Sequence, residues 1–215
     1  MSALQLGLFG TGETTVAPEA TIERTNLGAG AWVEVRRGWL RGADTLCQAL
    51  VTGVPWRHQR RWMYERLVDE PRLSCWYGRD SELPDPALEM AGEGLERLYA
   101  VPLAGPGLNY SRDGRDSVAF HADREIKYLS DTIVAIVTLG ATRPFLVRPR
   151  GGGRSVDLRP ASGDLLVMGG ACQAAFEHAV PKTAASGPRV SASWRWAHQP
   201  GPGPWQIEAT APDAP

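Results

Sequence analysis

The chain has 215 residues and a formal net charge of −1, long enough for one domain with an ordinary core and too neutral for a binder that relies on bulk positive charge. Its three cysteines, Cys47, Cys75 and Cys172, are scattered with no Cys-x-x-Cys pair, which argues against a disulfide framework and for a reducing compartment. No apolar run is long enough to cross a bilayer, and Met1-Ser2-Ala3-Leu4-Gln5 has neither the basic nor the apolar stretch of a signal peptide, so a cytoplasmic monomer with no membrane partner is expected.

Residues 1–28, rich in Gly, Thr, Glu and Ala without a sustained period, read as a mobile arm. Ala31 to Arg37 reads as a strand. Asp44 to Leu50, with Leu46, Ala49 and Leu50 apolar, reads as a helix. A second helix starts at Asp85-Pro86, a capping residue followed by proline in the first turn, and Leu88, Ala91, Leu95 and Leu98 give it a buried stripe. From Gly107 the texture changes to short β-rich runs separated by turn signals. These are Leu108–Ser111, Ser117–His121, Thr132–Leu139, Pro144–Arg148, Ser155–Leu158, Asp164–Met168, Ala174–Val180 and Arg189–Trp196, with Arg150-Gly151-Gly152-Gly153-Arg154 as a hairpin loop. The pattern predicts a mainly β chain with flanking helices: a double-stranded β-helix, or jelly roll, with the two earlier helices buttressing one sheet. Residues 199–215 are Pro-rich and read as a disordered tail.

His121 and Asp123 close a strand and share one face of it, and His178 lies in a later strand. Two histidines and a carboxylate can hold three adjacent positions of an octahedral Fe(II) and leave three open. By spacing alone, His121 as a loop residue and His178 as a core histidine is an equal reading. Arg189, Ser191, Ser193 and Arg195 also alternate onto one face of a strand, with Val190, Ala192, Trp194 and Trp196 on the other. A guanidinium matches a carboxylate in bidentate fashion, so this face suits a polar cavity holding a dicarboxylic keto acid; two surface arginines on an edge strand is the alternative. Arg57, Arg60, Arg61 and Arg66 form one arginine cluster and Arg143, Arg148, Arg150 and Arg154 another, each readable as a basic groove or as a solvated face.

The segment from Asn109 to Arg195 resembles the AlkB family of 2-oxoglutarate/Fe(II)-dependent dioxygenases. The matching pieces run from Asn109 through Arg112-Asp113-Gly114 and Asp116 to His121-Ala122-Asp123-Arg124-Glu125, then Leu139 to Phe145. They continue with Gly163 to Gly170, His178-x-Val180-Pro181-Lys182, and Arg189 with Arg195. Upstream, Val54-Pro55-Trp56, Met63-Tyr64 and Pro71 to Gly78 also look like family elements. The resemblance implies a dioxygenase domain over residues 29–198. Within it, residues 29–106 would supply a nucleotide-recognition lid and helical support, and residues 107–198 the jelly-roll core.

It implies Fe(II), 2-oxoglutarate and O2 as cofactors, with His121, Asp123 and His178 as iron ligands. Arg189 would take the distal carboxylate of the cosubstrate, Arg195 would lie near its keto-acid end, and Asn109 and Ser193 would complete its pocket. The implied reaction is oxidative demethylation of N-alkylated bases such as 1-methyladenine and 3-methylcytosine in single- or double-stranded DNA. A flipped base would meet Trp76, Tyr77 and Arg72 as lid residues and Glu125 at its exocyclic amine, with the Arg57–Arg61 cluster on phosphates. Ser111 stands where the family usually has a tyrosine, which leaves either a bridging water or a bulge that brings Tyr110 inward. RNA, a protein side chain or a small molecule remains an alternative substrate. A non-enzymatic jelly-roll binding module fits less well with a carboxylate clamp.

Gln5-Leu6-Gly7-Leu8-Phe9 resembles the short peptide by which bacterial replication and repair proteins dock on the sliding clamp. The implied partner is a clamp ring, gripped through Gln5, Leu6, Leu8 and Phe9. An N-terminal strand packed on its own domain is the alternative.

Overall fold

The structure, a computed structural model, describes residues 13–63, 66–78, 81–123 and 125–198, with backbone alone over 61–63 and 66–69. In chain order the strands and helices begin with β1 (Thr15–Val16), β2 (Thr21–Gly28), β3 (Ala31–Arg37), β4 (Leu40–Arg41) and α1 (Ala43–Gly53). They continue with β5 (Arg57–Met63), β6 (Arg66–Trp76), α2 (Pro86–Tyr99), β7 (Ala104–Ser111), β8 (Val118–His121) and β9 (Thr132–Gly140). The last are β10 (Leu146–Pro149), β11 (Val156–Asp157), β12 (Leu165–Gly170), α3 (Cys172–Ala175), β13 (Phe176–Val180) and β14 (Arg189–Ala197).

An eight-stranded antiparallel sheet in the order β2-β3-β12-β9-β14-β7-β6-β5 faces a four-stranded sheet in the order β11-β10-β13-β8. This is the expected jelly roll. The two helices pack on the outer face of the larger sheet. Leu46, Cys47 and Leu50 of α1 and Leu88, Ala91 and Leu95 of α2 share a core with Val137, Leu139, Leu165, Val167, Val190, Ala192 and Trp194. The Asp85 side chain accepts from the Ala87 N–H at 2.9 Å, so α2 starts where its cap and Pro86 place it. Leu98 is the exception to the expected stripe: it is 36% exposed, because the helix has turned it past the sheet by its last turn.

A second core fills the space between the two sheets. Val33, Val35, Val134, Ile136, Leu166 and Met168 from the large sheet meet Phe145, Val147 and Val180. The central strands β9 and β12 therefore bury both faces, which is why they read as continuous apolar runs.

Two regions differ from expectation. The reading of residues 1–28 as an arm fails over its described part, since Thr21–Gly28 pairs with β3 along almost its whole length. Nearly every residue of β2 is exposed, and a strand with both faces in water has no alternation to read. The same holds for the β5–β6 hairpin, where Arg57, His58, Gln59 and Arg60 are all exposed at the far edge of the sheet. Ala174 and Ala175 fall in α3 rather than in the strand expected there. Gln5, Leu6, Leu8 and Phe9 and the Pro-rich segment 199–215 lie outside the described residues. Among the described residues, no helix is long and apolar enough to cross a membrane.

Candidate metal and cosubstrate centre

The iron-ligand candidates come from paired strands. His121 closes β8, and His178 stands directly opposite it in β13. Their ring centroids are 4.2 Å apart. Asp123 follows β8 by two residues, and its backbone N–H donates to Gln173 Oε1 at 2.9 Å, which fixes the turn that carries the carboxylate inward. One donor atom from each of His121, Asp123 and His178 lies within 4.8 Å of the others, close enough to share an ion.

The orientation of each donor has a cause. His121 Nδ1 is 2.9 Å from the Ala119 carbonyl. A carbonyl only accepts, so Nδ1 carries the proton, and Nε2 is the nitrogen turned toward Asp123. Phe145 stacks on His178 at 5.5 Å and sets the plane of that ring. The two oxygens of Asp123 divide the work. Oδ1 faces His121 Nε2 at 3.7 Å and His178 Nε2 at 3.9 Å, while Oδ2 accepts from Arg195 Nε at 2.5 Å.

Electrostatics keeps the set in its ligating form. Burial would raise the Asp123 carboxyl, but Arg195, His178 and His121 outweigh it and hold it well below the usual carboxylate range. Burial, reinforced by His121, pushes His178 down to about 3, so its imidazole is neutral. Two imidazoles and one carboxylate form the donor set of a non-haem Fe(II) centre.

The cosubstrate candidates line one face of the adjoining strands. Arg189, Ser191 and Ser193 of β14 stand beside Ser111, Asn109 and Gly107 of β7. Arg189 is 4% exposed, and its Nη2 donates to Thr138 Oγ1 at 3.2 Å. Among the described residues its Nε has no hydrogen-bond partner. Burial, with the charge of Arg143 nearby, brings Arg189 down to about 10, so it stays a cation at neutral pH. A buried cation with most of its N–H donors unused is a site for an anion, and a carboxylate fits its fork.

Ser193 donates to the Gly107 carbonyl at 2.9 Å and accepts from Arg195 Nη1 at 3.1 Å. Arg195 thus runs from Ser193 to Asp123, and it acts on the ligand carboxylate more directly than its assignment to the keto-acid end implied. Asn109 faces the same lane between Ser74 and Ser191. Ser111, 6% exposed, is the residue opposite Arg189. Tyr110 packs on Trp56 at 5.3 Å on the helix side, and the bulge that would have brought it inward is not there.

The substrate candidates divide. Trp76 and Arg72 share the inner face of β6 with Ser74. A Cβ on Gly107 would collide with the Trp76 ring, and the Arg195 guanidinium lies 5.6 Å from the centre of that ring. Arg72 contributes its charge to His178. Tyr77 is corrected: with Cys75 it packs against the core under the helices, on the opposite face of the sheet. Glu125 is corrected too. β8 ends at His121, and Glu125 begins a turn over residues 125–128 with its side chain exposed, so strand parity no longer aligns it with His121 and Asp123.

The second arginine cluster does not form one groove. Arg143 is 1% exposed and donates to the carbonyls of Asp113, Asp116 and Pro181, pinning that loop to the end of β13. Sequence reasoning missed Gln173, Thr138 and Phe145. Each acts through a position in space rather than a spacing, and no local signal marks them.

A family profile described as the 2OG-Fe(II) oxygenase superfamily matches residues 107–200. The mouse alpha-ketoglutarate-dependent dioxygenase alkB homolog 3 is 31% identical over 180 residues, covering 73% of this chain and 62% of its own length. The human protein of the same name is 30% identical over 191 residues, covering 77% of this chain and 66% of its own length. The chain thus spans a little under two thirds of each. Among solved structures, a prolyl hydroxylase from Trichoplax adhaerens, in complex with a hypoxia inducible factor peptide, superposes with a TM-score of 0.60 at 10% identity, covering 77% of this chain and 83% of its own. OsALKBH1 superposes with a TM-score of 0.57 at 11% identity, covering 80% of this chain and 99% of its own, and both show the shared fold. Sequence and architecture agree: the chain belongs to the AlkB family of 2-oxoglutarate/Fe(II)-dependent dioxygenases.

Proposed function

We propose that this protein oxidatively demethylates N-alkylated bases in DNA, of the 1-methyladenine and 3-methylcytosine type. The observation that carries the reading is the polar lane itself, with the His121–Asp123–His178 triad at one end and the buried, under-bonded Arg189 at the other. That pair of features calls for a metal and an anionic cosubstrate together.

Iron with 2-oxoglutarate and O2 supplies the oxidation, in which the cosubstrate becomes succinate and carbon dioxide and an N-methyl group becomes an N-hydroxymethyl group that leaves as formaldehyde. The residues of the chain do the rest. His121, Asp123 and His178 hold the iron. Arg189 holds the distal carboxylate and is neutralised by it, and Thr138 keeps the guanidinium aimed. Asn109 and Ser193 border the same lane. Arg195 fixes the Asp123 carboxylate so that one oxygen always faces the ion. Trp76, lying flat over Gly107 beside Arg195, offers an aromatic wall to an extruded base, and Arg72 brings a cation near its path. Arg57 and Arg60, exposed on the edge strand β5, suit phosphate contacts.

The test is mass spectrometry of single- and double-stranded oligonucleotides bearing either lesion, incubated with the protein, Fe(II), 2-oxoglutarate and oxygen. The expected result is loss of the methyl mass with matched succinate, abolished in His121→Ala. Succinate formation without loss of the methyl group from DNA, but with loss from methylated RNA, would move the substrate to RNA. Absence of any succinate would end the oxygenase reading. The peptide Gln5 to Phe9 is tested separately, by fluorescence polarisation against a sliding clamp. Unchanged binding after Leu8→Ala and Phe9→Ala would remove that partner.

A further inference from the structure

We propose that the turn after Asp123, with the adjoining outer face of the four-stranded sheet, is a track for single-stranded nucleic acid, in which Tyr128 stacks on a base and Lys127 and Arg150 meet phosphates. This rests on the nucleic-acid substrate proposed above and adds where the strand beyond the reacting base is held.

Tyr128 is 77% exposed, more than any other large apolar side chain among the described residues. Lys127 Nζ lies 4.7 Å from its ring centre and the Arg150 guanidinium 6.0 Å from it. Arg150 is held there by its backbone acceptors: its Nη2 donates to the carbonyls of Lys127 at 2.9 Å and Gln173 at 2.8 Å. Carbonyls position a guanidinium without neutralising it. Arg148, two residues earlier on the same face, is neutralised by Glu177 at 2.6 Å and covers the Phe120 ring at 3.5 Å. The strip therefore runs from a compensated cation over Phe120 to two cations that have no carboxylate partner among the described residues, grouped around an exposed ring. Glu125 is exposed at the start of the turn, so the positive end of the track is the Lys127–Arg150 end.

The place matters as much as the chemistry. Phe120 immediately precedes the ligand His121, and the turn begins two residues after the ligand Asp123. A strand on this track passes the edge strand β8, whose last residue His121 is partly exposed beside Asp123. A free aromatic face with flanking cations fits an unpaired base and its phosphate, because a duplex hides its base faces.

The experiment is fluorescence anisotropy of the full chain with Fe(II) and 2-oxoglutarate under anaerobic conditions, using a labelled single-stranded 15-mer, the matched duplex and an abasic 15-mer. The expected result is tighter binding of the single strand, about tenfold weaker in Tyr128→Ala. Lys127→Gln should weaken binding and flatten the salt dependence by about 0.7 of a logarithmic unit per logarithmic unit of salt. The abasic strand should bind wild type and Tyr128→Ala alike. Demethylation of a methylated trinucleotide should keep its KM in Tyr128→Ala while the KM for the 15-mer rises about tenfold. Equal 15-mer affinity in wild type, Tyr128→Ala and Lys127→Gln would overturn the track. Binding that behaves as expected with no demethylation of any oligonucleotide would leave the track standing and overturn the proposed reaction.

Discussion

The inner face of the large sheet has two halves that obey the same backbone rules and do opposite things. On β3, β12 and β9, Val33, Val35, Leu166, Met168, Val134 and Ile136 interlock as core. One strand over, at the same registers, Ser193 stands beside Ile136 and Arg195 beside Val134. The polarity changes within a single strand spacing, about 5 Å. Nothing in the alternation distinguishes the halves. Side-chain chemistry decides which half packs shut and which half accepts a charged ligand.

The hardest break is at the polar half's metal end. Asp123→Ala removes one of the three candidate iron ligands and leaves Arg195 without its carboxylate. Succinate formation should fall below detection, while circular dichroism of the variant stays that of a β-rich fold. Next comes the apolar half. Met168 and Leu166 are fully buried between the sheets, and either one changed to Ala should cost about 2–5 kcal/mol in urea unfolding. A comparable loss from Ser191→Ala would mean that the polar half is packed core after all.

These two halves were unequally legible. Runs such as Thr132 to Leu139 and the alternation of Arg189 to Arg195 located β9 and β14 almost to the residue, because a strand with two apolar faces leaves a continuous apolar run and one with a polar face leaves a period of two. The His121–His178 pairing was readable as residue types but not as a register, since a contact between β8 and β13 is set by the closing of the roll. β2 and the β5–β6 hairpin were missed because strands in water need no apolar face. Tyr77 was misassigned by one position of alternation: Trp76 faces the site and Tyr77 faces the helices. By spacing Arg195 showed as a parity partner of Arg189 and by resemblance as a neighbour of the cosubstrate, and its bond to Asp123 belongs to the fold.

Arg189 sharpens the contrast from the other side. Changing it to Met should raise the KM for 2-oxoglutarate about 100-fold, read in succinate assays. In the absence of cosubstrate the same change should stabilise the fold by about 1–3 kcal/mol, because the wild-type guanidinium is buried with Nε unpaired. A site that weakens the empty protein and binds cosubstrate is the signature of a built anion pocket. A destabilised Arg189→Met would place the residue with the structural arginines such as Arg143.

The smallest effect expected is in pH. In metal-free protein His178 has its pKa held down at about 3 against an ordinary 6.5. The unfolded chain therefore binds a proton more readily than the native one between those values, and stability falls as pH drops below about 6.5. Asp123, also held below its ordinary range, acts in the same direction at lower pH. The slope from one histidine is at most about 1.4 kcal/mol per pH unit. Urea midpoints at pH 7 and pH 5 should differ in wild type and converge in His178→Asn. A divalent metal at the site should oppose the same loss, because it binds the neutral imidazole that the proton would occupy, so added Mn(II) should narrow the pH 7 to pH 5 difference in wild type and leave His178→Asn unaffected.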